Sequence, residues 1–243
     1  HHLALGVKKI IICDNSYDGE EQPVEVLSDF ILNGQVEVLD FRNQGGDYNV
    51  QDVAYNYVYR RYGSTFGWIG FLDIDEMVDG CDDLPKLLNG KDADVVVLSW
   101  RMMTASGLVH YEPKPVMDRF TVPAKQPRYQ DGKEFVKCFV RGGISGLTFE
   151  TQPHCPTQPK GLHVVNAKGE QVEQSAAIFP NYDVAWVNHY HTKTAEEFLE
   201  KVRRGFPNDN QYTEDYAKKA EEYFFALNKR TKEKEAIINQ LKA

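Results

Sequence analysis

Residues 68–76 read Trp-Ile-Gly-Phe-Leu-Asp-Ile-Asp-Glu (WIGFLDIDE). The apolar run Trp68 to Leu72 is too short for a typical helix and rich in aromatic and β-branched residues. It predicts a buried strand that ends abruptly in Asp73, Asp75 and Glu76. Those carboxylates then sit at the strand's carboxyl end, the edge at which open α/β sheets bind ligands. Alternation along an extended backbone sets Asp73 and Asp75 on one side and Ile74 on the other. Two like charges held that close repel and lose water, and a divalent cation bound to phosphate oxygens is the compensation best suited to hard oxygen donors. By itself the D-x-D triplet is a weak signal, because Asp73 could cap a turn while Asp75 and Glu76 stay solvated.

Working outward, Leu3 to Gly6 reads as the last turn of a helix and Lys8 to Cys13 (KKIIIC) as a buried strand. The turn-rich Asp14 to Gly19 offers carboxylate, amide and hydroxyl groups to a ligand or caps the helix expected over 24–32. A strand over 35–41, a loop over 42–49 containing Gly45-Gly46, and a helix over 52–62 ended by Gly63 lead into the opening stretch. Strand, helix, strand, helix, strand predicts an α/β fold with a mostly parallel central sheet flanked by helices.

Beyond it, a short helix at 84–88 precedes the nearly continuous apolar strand at 94–100 (DVVVLSW). Residues 102–128 are Pro-rich and irregular, and short strands are expected at 135–141, 161–166 and 185–190. Thr194 caps a helix running to Arg204, and a long charged helix, broken near Asn228, spans 214–241. With no low-complexity linker, residues 1–205 form one domain and 206–243 a C-terminal helical extension. The stripe Ala220, Tyr223, Phe224 and Leu227 on that extension can pack on the domain, pair with another subunit or rest on an anionic membrane surface; packing is the commonest outcome.

The 243 residues, 42% apolar, suffice for a sizeable core, and the net charge of −8 argues against a general nucleic-acid binder. Four dispersed cysteines without a C-x-x-C pair indicate neither a zinc knuckle nor a disulfide scaffold, and read as reduced thiols of a cytosolic protein. No apolar run approaches the roughly 18 to 20 residues that cross a bilayer. His1-His2 is either a tag stub or the end of a helix, and the missing initiator Met suggests an N-terminal truncation.

Four stretches, HLALGVKKIIICDNS (2–16), QDVAYNYVYRRYG (51–63), WIGFLDIDEM (68–77) and VNHYHTKTAEEFLEKVRRG (187–205), together with the weaker KCFVRGG (137–143), carry a resemblance. The chain resembles the glycosyltransferases of the GT-A fold, in the bacterial family-2-like group related to family 92. The resemblance implies a metal-dependent, inverting enzyme that moves a sugar from a nucleotide-diphosphate donor, with UDP the expected nucleotide, onto a glycan or lipid-linked acceptor in polysaccharide biosynthesis. It carries the metal-holding pair to Asp73 and Asp75, a third metal ligand to His189, and nucleoside contacts to Asp14, Asn15 and Ser16. The strand that normally precedes the first helix in this group is absent, which puts part of the nucleotide pocket in question.

Sugar transfer leaves negative charge on the departing diphosphate, so a metal and nearby cations lower its barrier. An imidazole ligand favours Mn²⁺ over Mg²⁺. Lys193 could face the diphosphate, and Gln51 and Asn56 could touch ribose or sugar from their helix, although a polar helix face needs no function. Arg203 and Arg204 read better as a helix end, where cations meet the negative pole of the dipole. The acceptor hydroxyl must lose a proton, with Glu76, Asp118, Glu150, His154 and His191 as candidates. Asp75, His154 and Asp118 are the catalytic assignment, His154 slightly ahead of Asp118 on the acceptor side. Two other classes compete: nucleotidyl transfer, which predicts a Gly-rich phosphate loop of which 14–19 is a poor version, and a binding module with a vestigial site.

Overall fold

The computed structural model describes residues 1–16, 21–42, 49–125, 131–204 and 214–242. Strands β1 (Ile10–Asp14) and β2 (Val36–Asp40) pair in parallel as a separate two-stranded sheet, joined through two short helices, α1 (Pro23–Val26) and α2 (Ser28–Leu32). The single helix expected over 24–32 is broken at Leu27, whose φ of −103° and ψ of 15° leave the helical region. The turn at Leu3 to Gly6 is not helical; Gly6 has a φ of +91° and lies against Pro85.

Helix α3 (Val50–Tyr62) begins at Asn49, whose side-chain oxygen accepts the Gln51 N–H at 2.9 Å, and stops at Gly63. Its buried face is Ala54, Tyr55, Val58, Tyr59 and Tyr62. After it come β3 (Trp68–Gly70), β4 (Glu76–Asp79), α4 (Leu84–Asn89) and β5 (Val95–Met102). Next are α5 (Val116–Arg119), β6 (Glu134–Arg141), β7 (Val164–Asn166), β8 (Ala177–Ile178) and β9 (Trp186–His189). The chain closes with α6 (Ala195–Arg204), α7 (Glu214–Leu227), α8 (Lys232–Ile238) and a 3₁₀ turn.

The larger sheet runs β3-β6-β5-β9-β4, with β7 added to β5 and β8 to β6. Its pairs are mostly antiparallel, which corrects the expected parallel sheet: β3–β6, β5–β6, β4–β9 and β6–β8 are antiparallel, and only β5–β7 and β5–β9 are parallel. The physical reason lies in the connections. The first hundred residues contain strands alternating with helices, but β6, later in the chain, inserts between β3 and β5 and runs against both.

β5 is buried on both faces, which accounts for its unbroken apolar run. Val95 and Val97 meet Tyr55, Val58 and Tyr59 of α3, whereas Val96, Leu98 and Trp100 meet Leu84 and Leu88 of α4. A third cluster joins α6 (Phe198, Leu199, Val202) to Phe224 of α7 and Ile238 of α8, so the terminal helices pack on the domain. At the outer strand β4, His1 Nε2 lies 2.6 Å from the Val78 carbonyl oxygen and the Val78 N–H donates to His2 Nε2 at 3.1 Å, which builds both histidines into the fold. The expected loop with Gly45-Gly46, the segment Tyr17 to Gly19 and Gly205 lie outside the described residues.

Candidate active site

Gly70, in β3, lies against the Phe139 ring, where a Cβ would collide, and so lets β3 press onto β6. Phe71 continues the strand, donating its N–H to the Cys138 carbonyl at 3.0 Å. The chain then turns: the Glu76 N–H bonds the Asp73 carbonyl oxygen at 3.1 Å, and Ile74 stands at the tip, 88% exposed. Alternation therefore does not hold across the triplet, and the two aspartates take different partners.

Asp73 is paired with Lys137 at 3.0 Å and accepts a short hydrogen bond from the Gln51 side-chain amide, which also donates to the Tyr55 hydroxyl at 2.9 Å. Asp75 lies 3.0 Å from Lys201 of α6 and 3.4 Å from His189 Nε2. Glu76, 1% exposed, accepts the Asp73 N–H at 2.8 Å and stands 3.6 Å from Lys137, which is itself wholly buried. β9 completes the arrangement, because its register against β4 sets His189 opposite Glu76 and the Tyr190 N–H on the Asp75 carbonyl at 2.9 Å.

Electrostatics separates these three carboxyls. Burial raises the pKa of Asp75, but the His189 hydrogen bond and Lys201 outweigh it and hold the carboxyl well below the usual range. Asp73 is lowered against the same burial by Lys137. Burial prevails at Glu76, whose carboxyl is pushed well above the usual range despite Lys137. Burial likewise opposes the Lys137 charge, yet Tyr55, Glu76 and Asp73 together keep it protonated. Burial lowers the His189 pKa, so the ring is neutral at pH 7, and its contact with Asp75 assigns the proton to Nε2.

That tautomer bears on the metal set. A protonated Nε2 offers no lone pair beside Asp75, and Nδ1 is buried without a hydrogen-bond partner. Asp73 is turned to Lys137 and Gln51, and among the described residues no three His, Cys, Asp or Glu side chains converge to hold a metal ion. As arranged, the charge of Asp73 and Asp75 is balanced by lysines.

His154 belongs to this neighbourhood. It stacks on Phe135 with centroids 4.2 Å apart and meets the edge of Trp100 at 4.9 Å; Trp100 in turn contacts His189 at 4.2 Å. Burial and then Lys137 lower its pKa to about 4. Its Nδ1 lies 3.0 Å from the Val136 carbonyl oxygen, which assigns the proton there and leaves Nε2 as the basic nitrogen. Lys193 also joins the group: burial lowers its pKa, Asp75 and Lys201 act on it, and its backbone adopts a φ of +49°.

Other expectations separate from the site. Both ends of the Asn56 amide are consumed by the Phe149 backbone, at 2.9 and 2.8 Å, so Asn56 clamps a loop and does not face a donor. Asp118 is exposed on α5 and takes no part; its neighbour Arg119 pairs with Glu197 at 2.7 and 3.0 Å. Arg203 and Arg204 occupy the last turn of α6, as the helix-end reading expects. Asp14 accepts the Ser16 N–H at 2.9 Å in an Asx turn after β1, while the Ser16 hydroxyl is buried with no hydrogen-bond partner among the described residues. No described hydrogen bond or ion pair links Asp14, Asn15 or Ser16 to the 73–76 turn.

Lys137 and Lys201 are the members of this group that the sequence reading did not name. Lys137 carried a signal, since a lysine inside the apolar strand FVKCFV is almost never buried unless paired. Lys201 carried none, because helical spacing ties it to Glu197 and its contact with Asp75 is tertiary. A cavity of about 180 Å³ lined in part by Arg101, Met102, Glu134 and Tyr182 opens at the end of β5, whose Met102 is in register with His189. Neither the protein-family models nor the curated proteins compared with this chain include a match to it.

Proposed function

We propose that the protein is a glycosyltransferase of GT-A type that moves a sugar from a nucleotide-diphosphate donor, UDP by resemblance, onto the hydroxyl of a glycan or lipid-linked acceptor. The observation that carries this reading is the turn at 73–76: two carboxyls held ionised within a group of lysines, beside a neutral imidazole, in the turn that follows β3. The parallel β1–β2 unit and the juxtaposition of β4 with β9 support the same assignment.

In this reading Lys193 and Lys201 meet the diphosphate, and Gln51 and Asp73 face the hydroxyls of the donor sugar. The acceptor enters from the cavity at the end of β5, where Arg101 lies over the rings of Tyr182 and Trp186, a suitable wall for a sugar. The acceptor oxygen attacks the anomeric carbon and the bond to the diphosphate oxygen breaks. The electron pair leaves with the diphosphate, and the acceptor proton passes to Nε2 of His154. Attack opposite the leaving group inverts the anomeric centre.

The test is product analysis by mass spectrometry after incubation with nucleotide-diphosphate sugars. Glycosyl transfer or donor hydrolysis releases the nucleoside diphosphate, whereas nucleotidyl transfer from the same donor releases the sugar 1-phosphate. His154→Ala is expected to lower kcat by about 10²-fold or more, the usual contribution of a general base, with the donor KM nearly unchanged. Full kcat in that variant removes His154 from the mechanism.

A further inference from the structure

The cations around the turn differ in how firmly they are held. Lys137 is wholly buried between Asp73 and Glu76, and Arg119 is locked to Glu197 in a bidentate pair. Lys201 is different, because its side chain is 24% exposed and its partners are Asp75 and the His191 carbonyl oxygen at 3.3 Å. Lys193 makes no ion pair among the described residues, although Asp75, Lys201, Glu197 and Arg119 all act on it. Its left-handed backbone, with a φ of +49°, is strained in a non-glycine residue, and such strain persists where surrounding structure enforces it. Around Asp75 and Glu197, then, two carboxylates face three cations, Lys193, Lys201 and Arg119. On charge, this outer part of the site suits an anion and leaves no deficit for a divalent ion to fill.

We infer that the centre holds its diphosphate by lysine, without a divalent metal. Lys193 supplies an ammonium group that pairs with no carboxylate among the described residues, and Lys201 exchanges its contact with Asp75 for one with a phosphate oxygen. The inference rests on the glycosyltransferase reading only for the identity of the ligand. Before the phosphate binds, Asp75 restrains Lys201.

The experiment is calorimetric titration of inorganic pyrophosphate and of UDP into the full chain, in EDTA and in Mn²⁺. Binding is expected in EDTA. Lys193→Met and Lys201→Met should each weaken it about tenfold or more, as loss of a charge-assisted hydrogen bond does, while Lys201→Arg retains it. Asp75→Asn should bind at least as tightly as wild type, because Lys201 is then released. Thermal melting of each variant separates lost binding from lost folding. Binding that requires Mn²⁺ and disappears in Asp75→Asn would overturn the lysine inference and leave the glycosyltransferase reading standing. Failure of pyrophosphate, UDP and the other common nucleoside diphosphates in both buffers would overturn both.

Discussion

At the scale of single residues, Lys137 is the group on which the site depends. Removing its ammonium leaves the ionised Asp73 without its buried cation, and breaking such a pair costs roughly 3–5 kcal/mol. Lys137→Met is accordingly expected to lower the urea midpoint sharply; an unchanged midpoint would show that the buried ammonium is dispensable. Glu76 gives a prediction of opposite character. Its folded pKa is raised, so its favourable contribution is complete below the unfolded carboxyl value of about 4.3 and is lost as pH rises through the folded value. Between pH 5 and 8 the stability of Glu76→Gln should therefore fall less than that of wild type, measured by denaturant melts at each pH. For His154, NMR titration of the ring should show a midpoint of about 4, and a midpoint near 6.5 would place the ring in water. The aspartates were legible in the sequence because a carboxylate pair ending an apolar strand is a local pattern. Their partners were not, since Lys137 and Lys201 come from β6 and α6 and meet the turn only in the folded chain.

At the scale of elements, α6 is the piece that carries Lys201 to Asp75, and its start is set by a reciprocal cap. The Glu197 N–H donates to the Thr194 hydroxyl at 3.1 Å, and Glu197 in return accepts from the Thr194 N–H at 3.3 Å. Thr194→Ala should destabilise the protein by about 1 kcal/mol, read as a shifted denaturant midpoint. The same variant should weaken pyrophosphate binding if α6 positions Lys201, and unchanged binding would detach the cap from the site. Thr194, Gly63 and the break near Asn228 were readable as local signals, whereas Asn49 falls in the loop before a helix expected at 52–62 and instead caps one that begins at Val50. Sheet order was not readable. Alternating strands and helices led to a parallel sheet, whereas β6 pairs antiparallel with both β3 and β5 across long stretches of chain, a choice that local periodicity does not encode.

At the scale of the whole molecule, the two faces of β5 and the terminal helices form a continuous support beneath one corner of the sheet. Phe198, Leu199 and Val202 of α6 are buried by α7, α8 and the final turn. Truncation after residue 205 would uncover them, at roughly 1.5–3 kcal/mol per buried side chain, and is expected to lower solubility and Tm. A truncated chain that melts like the full one would mean that α6 stands without the extension. Among the described residues no helix is long and apolar enough to cross a membrane. The central claim is that the donor diphosphate meets the turn at 73–76 together with Lys193 and Lys201. Its most direct test is a backbone-amide NMR titration with UDP. The account predicts that the largest shift changes cluster at Asp73 to Glu76, at His189 to Lys193 and around Lys201; changes confined to other surfaces, or none with any common nucleoside diphosphate, would contradict it.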